Sequence, residues 1–124
     1  MTGPSYEYRA IVRRVVDGDT LDLAIDLGFE CTLVTRVRLL GVNTPEVVGA
    51  TKVAGKAAAA FAEAWAHATN GEVLIRSYKA HEREKYGRWL VEVYPTRTGL
   101  TKSLNTELLE SGNAVLMTDK GGAA

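Results

Sequence analysis

Leu21, Leu23 and Ile25 alternate with Asp22, Ala24 and Asp26, the period of two that a strand with one buried face requires. Upstream, Tyr8 to Asp17 is rich in β-branched residues and stops at Gly18, as a strand running into a tight turn does. Downstream, Gly28 offers a hairpin turn and Cys31 to Leu40 reads as a third strand halted by Gly41, which predicts a three-stranded meander. After Pro45 the period changes. Val53, Ala57, Ala60, Phe61, Ala64, Trp65 and Ala68 recur at helical spacing in an alanine-rich stretch, predicting an amphipathic helix with those residues as its apolar face. Asn70 and Gly71 end it, and Val73 and Ile75 mark a fourth strand over Glu72 to Tyr78. A polar loop with six formal charges from Lys79 to Arg88 leads to a fifth strand, Trp89 up to Pro95. Leucines at 104, 108 and 109, followed by Gly112, predict a short helix from Ser103 to Ser111 with a glycine cap. Ala114 to Met117 adds a last short strand.

Five main strands, one long helix between the third and fourth and a short helix after the fifth, fit a mainly β protein with helices (α+β). The arrangement matches the five-stranded, partly open Greek-key barrel called the OB-fold. Other small α+β arrangements of the same elements fit the pattern almost as well. With 124 residues the chain holds one core. Residues 1–118 are expected to form the domain and 119–124 a flexible tail, since Asp119-Lys-Gly-Gly-Ala-Ala has no large apolar side chain to anchor it.

Fifteen Lys+Arg balance fifteen Asp+Glu, so nucleic-acid binding cannot rest on overall charge and needs a local basic patch. The one cysteine, Cys31, excludes an internal disulfide, and with only His67 and His81 beside it no cysteine/histidine zinc site can be assembled. No run approaches the roughly 20 apolar residues of a membrane span, and the N-terminus lacks the apolar core of a leader. The sequence as written is therefore expected to be cytoplasmic, with no membrane partner, and secretion would need a leader that was removed. His67 suits the negative end of the long helix, Cys31 reads as a small strand hydrophobe, and Trp65 and Trp89 read as core.

Two segments carry polar clusters at turns: Asp17-Gly18-Asp19-Thr20, and Arg38 to Glu46 with Asn43-Thr44-Pro45 near its end. Carboxylates, amides and backbone carbonyls at turns are the hard oxygen donors that calcium prefers. The same residues are also ordinary turn formers. A third segment, Glu84-Lys85-Tyr86-Gly87-Arg88, brings two cations and an aromatic ring to the mouth of the fifth strand, a combination suited to holding a phosphate and touching a base.

Together these segments resemble the staphylococcal nuclease (thermonuclease) family from about Tyr8 to Met117. The resemblance rests on Val-Asp-Gly-Asp-Thr at 16–20, Val-Arg-Leu-Leu-Gly-Val-Asn-Thr-Pro-Glu at 37–46, Lys-Tyr-Gly-Arg at 85–88 and Leu-Asn-Thr-Glu-Leu-Leu-Glu-Ser-Gly at 104–112. It implies an OB-fold that cleaves DNA and RNA phosphodiesters with Ca2+, leaving 3′-phosphate ends. By the same resemblance Asp19 is a metal ligand, Asn43 stands where the family usually has a second ligating aspartate, and Thr44 supplies a backbone carbonyl. Glu46 aligns with the general base, Arg38 and Arg88 with the catalytic arginines, and Lys85 and Tyr86 with residues that contact a neighbouring phosphate. Asp17 would stand behind the ligands. This assignment is chemically coherent, because a phosphodiester repels nucleophiles and gathers further charge in its transition state, and planar guanidinium forks and a hard cation offset both.

Four departures accompany the resemblance. Asn43 removes one negative charge from the metal site and predicts weaker calcium binding. After Gly112 the family commonly offers tyrosines near a base, whereas this chain has Val115, Leu116, Met117 and Thr118. The family's usual third, C-terminal helix is expected to be absent, leaving apolar surface that repacking or a weak homodimer would cover. The hairpin between Leu21 and Arg38, with Leu27-Gly28-Phe29 at its tip, is longer than usual. The expected function is thus a calcium-dependent, sugar-nonspecific endonuclease acting on single-stranded and loosely paired DNA and on RNA. The alternative is a noncatalytic OB-fold module of the same family that binds nucleic acid or a protein.

Overall fold

A computed structural model describes residues 4–78, 87–96 and 102–117. Lys85 and Tyr86, the two expected phosphate contacts, lie outside the described residues, as does the expected tail over 119–124. The chain runs β1 (Ser5–Asp17), β2 (Thr20–Gly28), β3 (Cys31–Leu39), β4 (Val42–Asn43), α1 (Lys52–Ala68), β5 (Glu72–Tyr78), β6 (Trp89–Pro95), α2 (Leu104–Glu110) and β7 (Val115–Leu116), with a single 3-10 turn at Gly49–Thr51 before α1.

The long strands close into a barrel in the order β1-β2-β3-β6-β5. Closure depends on the length of β1, whose first part pairs with β5 from Ser5↔Tyr78 to Ile11↔Glu72 and whose second pairs with β2 from Ala10↔Ile25 to Asp17↔Thr20. Register shifts at Val12/Arg14 and Val15/Asp17 are the bulges that bend so long a strand around a corner. The seam is made by β3 and β6, which run parallel from Val37↔Trp89 to Leu39↔Val91. A barrel of five strands with one long and one short helix is the expected OB-like α+β arrangement. The two-residue strands β4 and β7 pair on its outside, and β7 is the short strand expected over Ala114 to Met117.

The alternation of β2 works as expected: Leu21, Leu23 and Ile25 are buried with Val37, Leu39, Val73, Ile75, Val91 and Val93, and Leu104 and Leu108 of α2 close the cluster. Trp65 and Trp89 pack against that core from its edge. A separate small cluster joins Leu40 and Leu90 to Tyr78 and Met117.

The face of α1 meets expectation at Phe61 and Trp65, which pack against the core, and differs at its smaller residues. The buried residues are Gly55, Ala58, Ala62 and Ala66, while Val53 is 85% exposed and Ala57, Ala60, Ala64 and Ala68 are not among the buried residues of the helix. In a helix that is mostly alanine, hydrophobicity hardly distinguishes one face from another, and close approach to the barrel selects the smallest residues instead. At the β2–β3 hairpin, Phe29 and Glu30 both take left-handed φ values, 54° and 61°. Phe29 is 99% exposed, and Cys31, expected as a strand hydrophobe, is exposed as well.

The joint between α2 and the barrel is Asn105. Its amide nitrogen donates to the carbonyls of Leu40 (2.9 Å) and Val91 (3.2 Å), and its oxygen accepts from the Val93 amide (3.1 Å). Ser103 caps the helix by accepting from the Thr106 amide. The bond to the Leu40 carbonyl ties α2 to the turn that leads from β3 to β4, and so to the segment holding Asn43 and Thr44.

Candidate functional site

Asp19 lies in the tight turn between β1 and β2, and Arg38 faces it because Thr20↔Arg38 is a register pair of the β2–β3 ladder. Arg38 donates from Nη2 to Asp19 Oδ2 (3.2 Å) and to Asn43 Oδ1 (2.8 Å), and from Nη1 to the Val42 carbonyl (3.2 Å) and Met117 Sδ (3.3 Å). Asp19 also accepts from the Thr20 hydroxyl on Oδ1 (2.9 Å) and from the Thr44 amide on Oδ2 (3.0 Å). Asp19, Arg38 and Thr44 are each about 95% buried, at 5%, 6% and 5% exposure. A charge pair this far from water holds only when its hydrogen bonds are well satisfied; five donors and acceptors around the pair meet that demand.

Glycines bring the pieces together. A Cβ on Gly18 would fall 2.9 Å from Ala58 Cβ and 3.0 Å from the Thr44 side chain, so the β1–β2 turn can pass beneath α1 only without one. Gly55 does the same for Glu46, since a Cβ there would run into the Glu46 carbonyl and lie 2.7 Å from the Val47 nitrogen. The Glu46 carbonyl also accepts from Thr51 Oγ1 (3.0 Å), and the Val47 amide donates to Asp17 Oδ1 (3.3 Å). The Glu46 main chain is thus pinned on three sides while its side chain stands exposed. Gly→Ala in a helix interior ordinarily stabilises by about 1 kcal/mol. Gly55→Ala is expected to reverse that sign, costing roughly 1–3 kcal/mol through overpacking, and chemical denaturation checks it.

The structure therefore gathers Asp19, Arg38, Asn43 and Thr44 into one cluster. Among the described residues no hydrogen bond joins the Glu46 side chain to it. Arg88 is half-buried just before β6; because Trp89 pairs with Val37, Arg88 stands beside Arg36 at the edge of β3. A cleft of about 220 Å³ opens next to Asn43 and Thr44, with Gly112 to Val115 as its far wall.

Among the described residues no three His, Cys, Asp or Glu side chains converge in a way that could hold a metal. The oxygen donors at hand are the Asp19 carboxylate, the Asn43 amide and Thr44, whose buried hydroxyl has no hydrogen-bond partner. An all-oxygen set with an unsatisfied buried hydroxyl fits a hard cation in kind. A single carboxylate already shared with Arg38 makes it a weak site. Sequence reasoning missed the Arg38–Asp19 ion pair, whose one available signal was the hairpin register, and it missed Gly55 and Asn105, whose roles have no local signal.

Residues 36–122 match the family described as Staphylococcal nuclease homologue. A thermonuclease from Staphylococcus intermedius is 40% identical over 95 residues, an alignment that covers 74% of this chain and 49% of that protein. The chain thus spans about half the length of the curated relative it matches. The match takes in the end of β3, both helices and the parallel β3–β6 seam, and with the buried Asp19–Arg38 turn and the closed barrel it leads to one conclusion: the chain belongs to the staphylococcal nuclease homologue family.

Proposed function

We propose that the chain is a calcium-dependent, sugar-nonspecific endonuclease that hydrolyses DNA and RNA phosphodiesters to 3′-phosphate products. The observation that carries this reading is the convergence of Asp19, Arg38, Asn43 and Thr44 beside the pinned main chain of Glu46. Ca2+ held by Asp19, Asn43 and Thr44 would supply a Lewis acid that offsets charge on the phosphate. Arg38 and Arg88 orient the phosphodiester with planar donors and stabilise charge on its equatorial oxygens. Glu46 accepts the proton of the attacking water, and the cleft beside Asn43 and Thr44 receives the adjoining nucleotide. Lys85 and Tyr86 contact the next phosphate.

One observation favours the noncatalytic alternative: Arg38 already neutralises Asp19, and Asn43 spends its amide oxygen on Arg38 rather than on a cation. Incubating single-stranded DNA with calcium or with EDTA, beside Glu46→Gln as a control for contaminating nuclease, decides between them. Calcium-dependent cleavage by the natural protein alone supports the enzyme; binding without cleavage supports the module.

Asn43→Asp is expected to tighten calcium binding about tenfold, or roughly 1.4 kcal/mol, because affinity in hard-cation sites rises with the number of carboxylates. Calorimetric titration reads this directly, and half-maximal cleavage should shift to lower calcium in parallel. Equal affinity in the two proteins would remove residue 43 from the ligand set.

A further inference from the structure

The outer face of the barrel carries two further arginines, Arg14 and Arg36, that the proposed chemistry does not use. Arg14 on β1 pairs with Asp22 on β2, and Asp22 pairs with Arg36 on β3, so the three side chains stand in one row across three strands. Arg88, one residue before the Val37↔Trp89 pair, extends the row onto β6. Arg36 also lies two residues before Arg38 on the same face of β3, roughly 7 Å away along the strand. That spacing is comparable with one nucleotide step of an extended backbone.

The row is built for an anion. Arg36 donates from Nε to Asp22 Oδ1 (2.7 Å) and from Nη2 to Asp22 Oδ2 (3.2 Å), which fixes the plane of the guanidinium. Of its five N–H donors, three remain without a partner among the described residues, and the side chain is 48% exposed. The Arg36 hydrogen bonds hold the Asp22 carboxyl below its ordinary value of 3.8, and the charges of Arg36 and Arg14 add to the effect. Within the row Arg14 and Arg36 stand against the one carboxylate of Asp22, with Asp17 acting on Arg36 more weakly, a local positive balance in a chain whose overall charge is zero. Like charges on adjacent strands cost stability, and a bound anion would offset that cost.

We propose that Arg36, oriented by Asp22 and backed by Arg14, is a phosphate subsite that grips the nucleic-acid backbone one nucleotide away from the phosphate at Arg38. The subsite rests on the reading of the chain as a nucleic-acid enzyme. It directs the strand across the β2–β3 face.

The test is binding of a fluorescently labelled oligothymidylate of about 12 nucleotides, in EDTA so that no cleavage occurs, over a range of salt concentrations. Arg36→Gln is expected to weaken binding roughly threefold to tenfold and to flatten the slope of log K against log salt by about 0.7, the value for one lost single-strand phosphate contact. Arg36→Lys should restore the slope while recovering only part of the affinity, because it keeps the charge without the fork. Arg9→Gln removes the same charge from a part of β1 that faces β5 and should leave the slope unchanged. Equal slopes for the natural protein and Arg36→Gln would overturn the subsite alone, as would equal losses in Arg36→Gln and Arg9→Gln. Failure of the natural protein to bind at low salt would overturn the nucleic-acid reading and the subsite with it.

Discussion

Glu46→Gln should lower turnover by roughly two to four orders of magnitude, the usual scale for losing a general base. The substitution keeps the size of the side chain. It leaves the main-chain anchors intact, because Thr51, the Asp17–Val47 hydrogen bond and the Gly55 contact all hold backbone atoms. Fold and oligonucleotide affinity in EDTA should therefore match the natural protein while cleavage collapses. Cleavage by the purified variant at the natural rate would remove Glu46 from the mechanism.

Arg38→Lys should damage stability and turnover together. The arginine joins Asp19, Asn43 and the Val42 carbonyl through two nitrogens of one rigid plane, and an ammonium at the end of a flexible chain cannot hold all three. Because the pair is buried, the partners left behind carry a desolvation cost. Arg38→Lys should cost about 1–3 kcal/mol, the range for lost hydrogen bonds to charged groups, and Arg38→Ala about 3–5 kcal/mol. Turnover should fall roughly a hundredfold to a thousandfold, as for other preorganised donors to a developing charge. Arg88→Lys, from a half-buried position at the start of β6, should lower turnover with a smaller loss of stability. Urea denaturation beside cleavage assays at saturating calcium separates the two effects. If Arg38→Lys retained both natural stability and natural turnover, the buried cluster would be neither a structural joint nor a catalytic one.

What the sequence determined by itself was everything with a short period or a local stop. Leu21, Leu23 and Ile25 announce a half-buried strand because side chains alternate every two residues whatever the rest of the chain does. Gly112 ends α2 because only a residue without Cβ takes its left-handed φ of 82° at no steric cost. Two of the motifs, at 16–20 and 37–46, already singled out Asp19, Arg38, Asn43 and Thr44, since a polar cluster at a turn is itself a local feature. The tertiary structure alone decided which small residues of α1 are buried, because alanines and glycine hardly differ in hydrophobicity and the close approach of Gly55 to the Glu46 backbone and of Ala58 to Gly18 chooses among them. It alone decided the parallel seam of β3 and β6, separated by about fifty residues of chain whose closure leaves no trace in either strand's pattern. And it alone set Arg38 against Asp19, because a guanidinium excluded from water takes the nearest carboxylate that the β2–β3 register presents.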